Sequence, residues 1–407
     1  MPSLTWCNQQ TLQHSSWNDV RGVVAEPVRA ALEKVLASLD GGVLTRDEGN
    51  LLAHATGNDL FGLVVAANEI RTRLVGDVIS YVVTRNINFT NVCFVGCKFC
   101  AFSVGPRDGT AYFLTPEQVG EKALEAASWG ATEVCIQGGL PRHLQPLYYR
   151  DVLRALKAAV PTMHAHAFSP MELAYGVELT GMSVRDYLLM LKANGLDTVP
   201  GTAAEILDDA VRMVLSRNKL TTAEWCEIVE TAHQCGIRST STMMYGHRET
   251  PEQWVNHMLL LRSIQSRTGG FTEFVPLGFI HDHTILYEQG LTRPGGALEE
   301  HIRVHALARV LLAGSINHIQ VSWVKLGGEL SQLALLAGAD DYGGTLFEEN
   351  ISRLAGATAG QYVSVNEFQE RIRELGRTPA QRNTTYTHYF DSDAAASPEP
   401  VTAGGLA

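Results

Sequence analysis

From residue 78 to about residue 376, segments with strand character alternate with segments of helical period, and a helical stretch comes before them. That order predicts an α/β chain: a (β/α) TIM-like barrel, partial or complete, with an N-terminal helical extension. Two observations carry the expectation. Each strand-to-strand step takes roughly 30–45 residues, enough for one crossover helix, and such βαβ steps are right-handed and build a parallel sheet. About seven or eight steps follow one another with no second start signal, which favours a barrel over an open doubly wound sheet. The expected organisation is a helical extension over 1–76, the barrel with C-terminal elements over 77–386, and a disordered tail over 387–407. Residues 391–407 are dominated by Ala, Ser, Pro and Gly, with too little apolar surface to order themselves.

Taken in order, helices are expected at 25–39, 46–55 and 59–74, interrupted by Gly41, Gly42 and Gly57. Strands are expected where short runs collect Val, Ile, Thr and aromatic residues. These are 78–89, 132–137, 163–168, 197–199, 238–245, 271–279 and 317–324, with a weaker one at 342–346. Helix starts show as capping boxes, a Thr or Ser three residues before a Glu or Gln. Thr45 with Glu48, Thr115 with Gln118, Thr221 with Glu224, Thr250 with Gln253 and Ser364 with Glu367 fit. Pro116 and Pro251 take the first helical position, where a missing N–H costs nothing.

The 407 residues carry 32 Lys and Arg against 43 Asp and Glu, a net charge of -11. Phosphate backbones select basic faces, so nucleic acid is not the expected partner. No apolar run is long enough to span a membrane, and no basic stretch followed by an apolar one opens the chain. A cytoplasmic protein is expected. Its seven cysteines are an odd number in a long chain, unlike a disulfide scaffold. Three fall together as C-x3-C-x2-C: Cys93, Cys97 and Cys100, directly after the first barrel strand.

Thiolates this close converge on a soft metal. A structural zinc site wants four ligands, and no fourth Cys or His lies nearby. A 4Fe–4S cluster in an electron carrier also takes four cysteines. With three, one iron stays open to a ligand that is not protein. Cys7, Cys135, Cys226 and Cys235 show no partner spacing and read as ordinary buried thiols. The next strand ends in Gln137, Gly138 and Gly139, where glycine permits close backbone approach to a ligand or simply ends the strand.

The cysteine spacing, its position after the first strand and the aromatic Phe99 before the third cysteine resemble the radical S-adenosylmethionine (SAM) superfamily. The resemblance implies a 4Fe–4S cluster on Cys93, Cys97 and Cys100 whose open iron holds SAM. One electron then cleaves SAM to methionine and a 5′-deoxyadenosyl radical. It also implies that Phe99 packs on the adenine and that Gln137, Gly138 and Gly139 present carbonyls to the SAM ammonium.

Further stretches narrow the likeness: NINFTNVCFVGCKFCAF at 86–102, PGTAAEIL at 200–207, TMMYGHRET at 242–250, GGFTEFVPL at 269–277, IQVSWVKLG at 319–327 and GGTLFEENISRLAG at 343–356. Together they resemble the CofH family, the transferase half of deazaflavin FO synthase, over roughly residues 75–386. Two enzymes of the futalosine route to menaquinone, aminofutalosine synthase and dehypoxanthine futalosine cyclase, share the cysteine motif and form the alternative. The run Thr202, Ala203, Ala204 is more similar to CofH. The resemblance implies that the 4-hydroxybenzyl group of L-tyrosine is joined to 5-amino-6-(D-ribitylamino)uracil by radical cleavage of the Cα–Cβ bond. It also implies an electron donor, and a CofG-type subunit that completes the ring.

Barrel chemistry collects where strands meet the following loops. Tyr245, His247 and Glu249 alternate at the end of the fifth strand and share a face, so they are the expected catalytic residues. The competing reading is a helix-start network around Thr250. Glu205 is expected at SAM ribose or substrate, with a helix N-terminal carboxylate as the alternative. His164 and His166 share a face inside the third strand, as barrel-lining histidines or substrate contacts. Ser322 and Lys325, with Thr345, Glu348, Glu349 and Asn350, are candidates for uracil or ribityl contacts, or in part caps for the next helix. Asn86 and Asn88 are expected to orient the cysteine loop.

Overall fold

The computed structural model describes residues 5–390. The expected first strand is two strands, β1 (Val78–Val82) and β2 (Thr84–Asn88). The register slips between Ser80 and Val82, and such a bulge kinks the strand. Beyond it the backbone changes partners: the Val82 carbonyl accepts from Thr345, the Val83 carbonyl from Thr132.

β2 opens a six-stranded parallel sheet continued by β3 (Glu133–Gln137), β4 (His164–Ala167), β5 (Thr198–Val199), β6 (Arg238–Tyr245) and β7 (Phe271–Gly278), in chain order. This curled sheet is a partial barrel. Two single parallel bridges carry it round: Phe274 of β7 to Ile319, and Gln320 to Asp341, the first residue of β8 (Asp341–Gly344). β8 pairs with β1 and returns to the start.

The strand expected at 317–324 therefore shrinks to Ile319 and Gln320. Its neighbours have other bonds to make. The Asn317 carbonyl accepts from Arg309, and the Ser322 carbonyl accepts from Lys325 and Leu326 to start the helix Trp323–Leu336. The weaker expectation at 342–346 is the true strand.

A strand absent from the sequence reading, β9 (Thr378–Arg382), pairs parallel to β1, and β10 (Tyr389–Phe390) runs antiparallel to β9. Of the tail expected from 387, Tyr389 and Phe390 are held in a ladder. Residues 391–407 lie outside the described residues.

Four of the five expected capping boxes close in both directions, at Thr45, Thr115, Thr221 and Thr250. At Ser364 the hydroxyl accepts from the Glu367 N–H. The N-terminal helices Glu26–Ser38, Arg46–Ala53 and Gly57–Val75 pack outside the barrel. Leu60, Leu63, Val64, Ala67 and Ile70 of the last are fully buried, and that helix packs on Leu298–Leu312.

Inside the barrel, alternate residues point to the axis. Thr84, Asn86 and Asn88 of β2, Glu133, Cys135 and Gln137 of β3, and Thr240, Thr242 and Met244 of β6 line one cavity of about 430 Å³. The residues between them, such as Ile87, Val134, Ile136 and Met243, face outward into the apolar layer under the helices. A cavity with polar side chains set among apolar ones, inside an apolar jacket, suits a ligand.

Candidate active site

The loop after β2 brings Cys93, Cys97 and Cys100 to the cavity wall. Gly96 turns the loop with φ +72°, a left-handed conformation that favours glycine. The loop is braced from two sides. Phe94 N–H donates to the Leu140 carbonyl (3.0 Å) and Lys98 N–H to the Leu215 carbonyl (2.9 Å). The Asn218 amide donates to the Val95 carbonyl (3.0 Å), and the Ser216 hydroxyl lies 3.0 Å from Cys97 Sγ.

Burial raises the Cys93 thiol and pushes Cys97 up to about 11. Metal-free, both hold their protons at neutral pH, so metal binding must release them. Among the described residues no three His, Cys, Asp or Glu side chains gather as a single-ion site. Three thiols on one cavity wall are a soft donor set that could hold an iron–sulfur cluster.

The turn after β3 is packed against this loop. A Cβ on Gly139 would lie 2.2 Å from the Val92 carbonyl oxygen and 3.0 Å from Cys93 Cβ, so only glycine fits. Gly138 N–H donates to Glu172 Oε1 (3.0 Å), and Glu172 Oε2 accepts from Ser169 N–H (2.7 Å) and Oγ (2.6 Å). Burial lifts the Glu172 carboxyl to about 7 against those hydrogen bonds. Gln137 lines the cavity, its side-chain oxygen accepting from Thr202 (3.0 Å) and its carbonyl from Asn88 (3.2 Å). Glu172 was missed in the sequence. Its signal was a sixth capping box, Ser169 to Glu172, with Pro170 at the first helical position.

Glu205 lines the cavity from the loop after β5, in left-handed backbone (φ +42°) next to Ala203 (φ +60°). The next helix begins only at Asp209, so a helix N-terminal role is ruled out. Glu205 is instead paired with Lys219, and with Arg212 at 3.6 Å. Lys219 Nζ also sits 5.2 Å over the Phe99 ring. Neither cation was anticipated; lone Lys and Arg residues in a helical stretch give no distinguishing signal.

Tyr245, His247 and Glu249 lie elsewhere. None lines the cavity, which β6 reaches through Thr240, Thr242 and Met244. Glu249 accepts from Gly246 N–H (2.6 Å), His247 N–H (2.9 Å) and Trp254 Nε1 (3.0 Å), and pairs with Arg293 (3.1 Å). His247 Nδ1 is 2.9 Å from Glu249, and its Nε2 contacts the Met244 carbonyl at 2.9 Å. Burial would raise Glu249, but His247 and these donors hold it at about 2. Tyr245 hydroxyl meets His301 Nδ1 (2.7 Å). The expected catalytic trio is thus corrected to a buried network that sets the loop after β6. The Gly246 turn, φ +92°, swings the chain off the strand and takes His247 and Glu249 with it.

Among the remaining candidates, His166, Ser322, Lys325, Glu349, Asn86 and Asn88 line the cavity. His164 and His166 share Thr198 Oγ1, each at 2.8 Å, and burial holds His166 neutral at about 3. Burial also lowers Lys325, which donates to Ser352 (3.1 Å). Thr345, Glu348 and Asn350 do not reach the cavity. Thr345 is bonded to the Thr84 backbone, Glu348 pairs outward with Arg85 and Lys122, and Asn350 with Arg353 and Gln361.

A parallel barrel with a three-cysteine loop after its first strand and a tight glycine turn after the next defines a radical SAM protein. The family model of the radical SAM superfamily matches residues 87–261, and that of the CofH/MqnC C-terminal region matches residues 268–394. The chain is 47% identical over 364 residues to the 5-amino-6-(D-ribitylamino)uracil–L-tyrosine 4-hydroxyphenyl transferase of Methanothermobacter thermautotrophicus, covering 89% of this chain and 99% of that one, and it belongs to that family. It is also 52% identical over 379 residues to the FO synthase of Mycobacterium leprae. That match covers 91% of this chain and 44% of the relative, so the chain spans less than half the length of the FO synthases it matches. Methylornithine synthase (PylB) shares the fold, with a TM-score of 0.66 at 16% identity over 86% of this chain and 97% of that one. Among the described residues no helix is long and apolar enough to cross a membrane.

Proposed function

We propose that the chain joins the 4-hydroxybenzyl group of L-tyrosine to 5-amino-6-(D-ribitylamino)uracil, with breakage of the tyrosine Cα–Cβ bond. The observation that carries this reading is the near end-to-end match to a relative named for that transfer, with the cysteine loop on the wall of the barrel cavity. Cys93, Cys97 and Cys100 would hold a 4Fe–4S cluster, with SAM seated between the Gly138–Gly139 turn, Phe99 and Glu205. Bound there, cluster and SAM supply a 5′-deoxyadenosyl radical.

The chain's own residues do the rest. Glu172 pins the Gly138 N–H and so aims the carbonyls of the turn. Lys219 fixes Phe99 from one side and Glu205 from the other. Val275, Leu277, Phe279 and Val324 line the cavity with apolar surface and keep water from a reactive carbon centre. Lys325 offers a proton position at the wall beside Ser352, with its charged form disfavoured by burial. A one-electron donor, a CofG-type radical SAM partner that completes the deazaflavin ring, and a cytoplasmic setting reducing enough to keep the thiols free belong to the same proposal.

The test is an anaerobic assay of the reconstituted protein with SAM, reductant and both substrates, products identified by mass. The expected product is the hydroxybenzyl adduct, formed only when tyrosine and the ribitylaminouracil are both present. SAM cleavage without adduct overturns the proposal, and turnover of futalosine-pathway nucleosides instead moves the chain to that branch.

A further inference from the structure

The cavity has two ends of different chemistry. Glu133, Cys135 and Gln137 of β3 all line it, so it runs the length of that strand, about 13 Å at 3.3 Å per residue. Gln137 ends at the cysteine loop; Glu133 marks the floor. The floor is polar and buried. Glu133 and Glu273 are each 5% exposed, and Thr84 is 2% exposed.

Several floor groups are built but not used up. Among the described residues Thr84 Oγ1 is buried without a hydrogen-bond partner. Among the described residues Glu133 is bonded only through Oε2, which accepts from Thr384 (2.5 Å). Gln320, turned so that its amide nitrogen faces Glu273 (3.0 and 3.3 Å), offers its oxygen elsewhere. A buried hydroxyl left unpaired is costly, so it points to a ligand that pairs it.

The charge pattern says which ligand. Among the described residues the floor's one cation is Arg382, and it is saturated: Nε and Nη2 bind Asp341, Nη2 also reaches Glu273, and Nη1 reaches the Asn383 carbonyl. A carboxylate placed there finds no free positive partner and several negative neighbours, which excludes an amino acid. A neutral chain of hydroxyls fits, because each O–H donates to a carboxylate or amide oxygen and accepts from a threonine hydroxyl. Among the described residues the other cavity cations, Lys219 beside Phe99 and Glu205 and Lys325 beside Ser352, sit toward the mouth, where an amino acid's carboxylate would be met.

We infer that the barrel floor formed by Thr84, Glu133, Glu273 and Gln320 is a subsite for a neutral polyhydroxyl chain, holding the ribityl arm of the uracil substrate. The uracil then stands above it, facing the cysteine end, while tyrosine enters at the mouth. This rests on the proposed reaction.

The test is binding to the reconstituted protein of two probes, 5-amino-6-(D-ribitylamino)uracil and its 6-methylamino counterpart, which lacks the hydroxyls. Wild type should prefer the ribityl compound by about a hundredfold, from two or three hydrogen bonds to charged or buried groups. Glu133→Gln and Thr84→Val should each weaken ribityl binding about tenfold and leave the methylamino compound unchanged. Cluster absorbance and SAM binding confirm that the variants are folded. Ribityl binding that both variants leave intact, or equal loss of both probes, overturns the subsite while the reaction stands. Absence of ribityl binding and of adduct in the wild type overturns the reaction and the subsite with it.

Discussion

Replacing Gly139 with alanine adds one methyl group at the contact between the glycine turn and the cysteine loop. The new Cβ would sit 2.2 Å from the Val92 carbonyl oxygen and 2.7 Å from its carbon. An ordinary carbon-to-oxygen contact is about 3.3 Å, so one backbone must retreat by about 1 Å. Neither side is a flexible side-chain tip. Gly139 N–H is tied to the Thr90 carbonyl (2.8 Å), and Val92 is tied to Thr90 Oγ1 (3.1 Å) and bridges Val104. Overpacking of this kind costs about 1–3 kcal/mol, which lowers Tm by a few degrees in a chain this long. The larger effect falls on the residue after Val92, which is Cys93. Iron bound per chain after anaerobic reconstitution should fall to less than half, and SAM affinity should fall with it. Gly138→Ala is the control. Its Cβ meets the fully buried Phe89 ring at 2.7 Å rather than the cysteine loop, so it should lower stability while iron loading falls less than in Gly139→Ala. Full iron loading and unaltered SAM affinity in Gly139→Ala would refute the claim that this turn and the cysteine loop are packed as one unit.

Glu172 makes stability depend on pH. Its carboxyl is lifted from the usual 4.5 to about 7 in the fold by burial, so the native state holds the proton more tightly than the unfolded chain. That advantage is complete below about pH 4.5 and is lost as pH rises through about 7. Tm should therefore fall between pH 5 and pH 8 more steeply in wild type than in Glu172→Gln, and equal slopes would count against the assignment. Ser216→Ala removes the hydroxyl 3.0 Å from Cys97 Sγ. Hydrogen bonds to cluster sulfurs raise the reduction potential, so the variant's cluster should titrate at lower potential by electron paramagnetic resonance, with Ser216→Thr restoring it.

The cysteine loop was legible because spacing in the chain is nearly spacing in space when one short loop carries every ligand. The barrel was legible for a related reason: β3, β6 and β7 are bounded by helices whose starts are spelled out in capping boxes. What the sequence hid depends on where a strand's neighbours lie. Ile319 and Gln320 look like the middle of a strand, and only Arg309 and the helix start at Ser322 cut it to two residues. β9, reading Thr-Pro-Ala-Gln-Arg, has no apolar alternation to announce it, since Arg382 is buried by charge against Asp341. Tyr245, His247 and Glu249 misled because a period of two holds only while the strand continues, and it ends at Tyr245. Glu172 and Lys219 were hidden in helical or loop stretches whose contacts are long-range.

The strained backbone of this chain is concentrated where the chemistry is placed. Of eight described non-glycine residues with positive φ, six follow strand ends at the mouth: Phe168 after β4, Ala203 and Glu205 after β5, and Leu346, Phe347 and Glu348 after β8. Each such residue costs about 1–3 kcal/mol unless its surroundings hold it. Several of the holding groups lie behind the cavity wall. Arg212 grips the carbonyls of Ala203 and Ala204; Glu348 is paired with Arg85 and Lys122; the Phe347 ring packs on Trp129 and Tyr362 at 4.7 and 4.3 Å, and Phe168 on Tyr149 at 4.4 Å. Anchors behind the wall leave the inner face, with Glu205, Leu346 and Glu349, directed at the ligand. The rim is thus set before any ligand arrives, which suits a site that must hold two substrates and a radical source in fixed register.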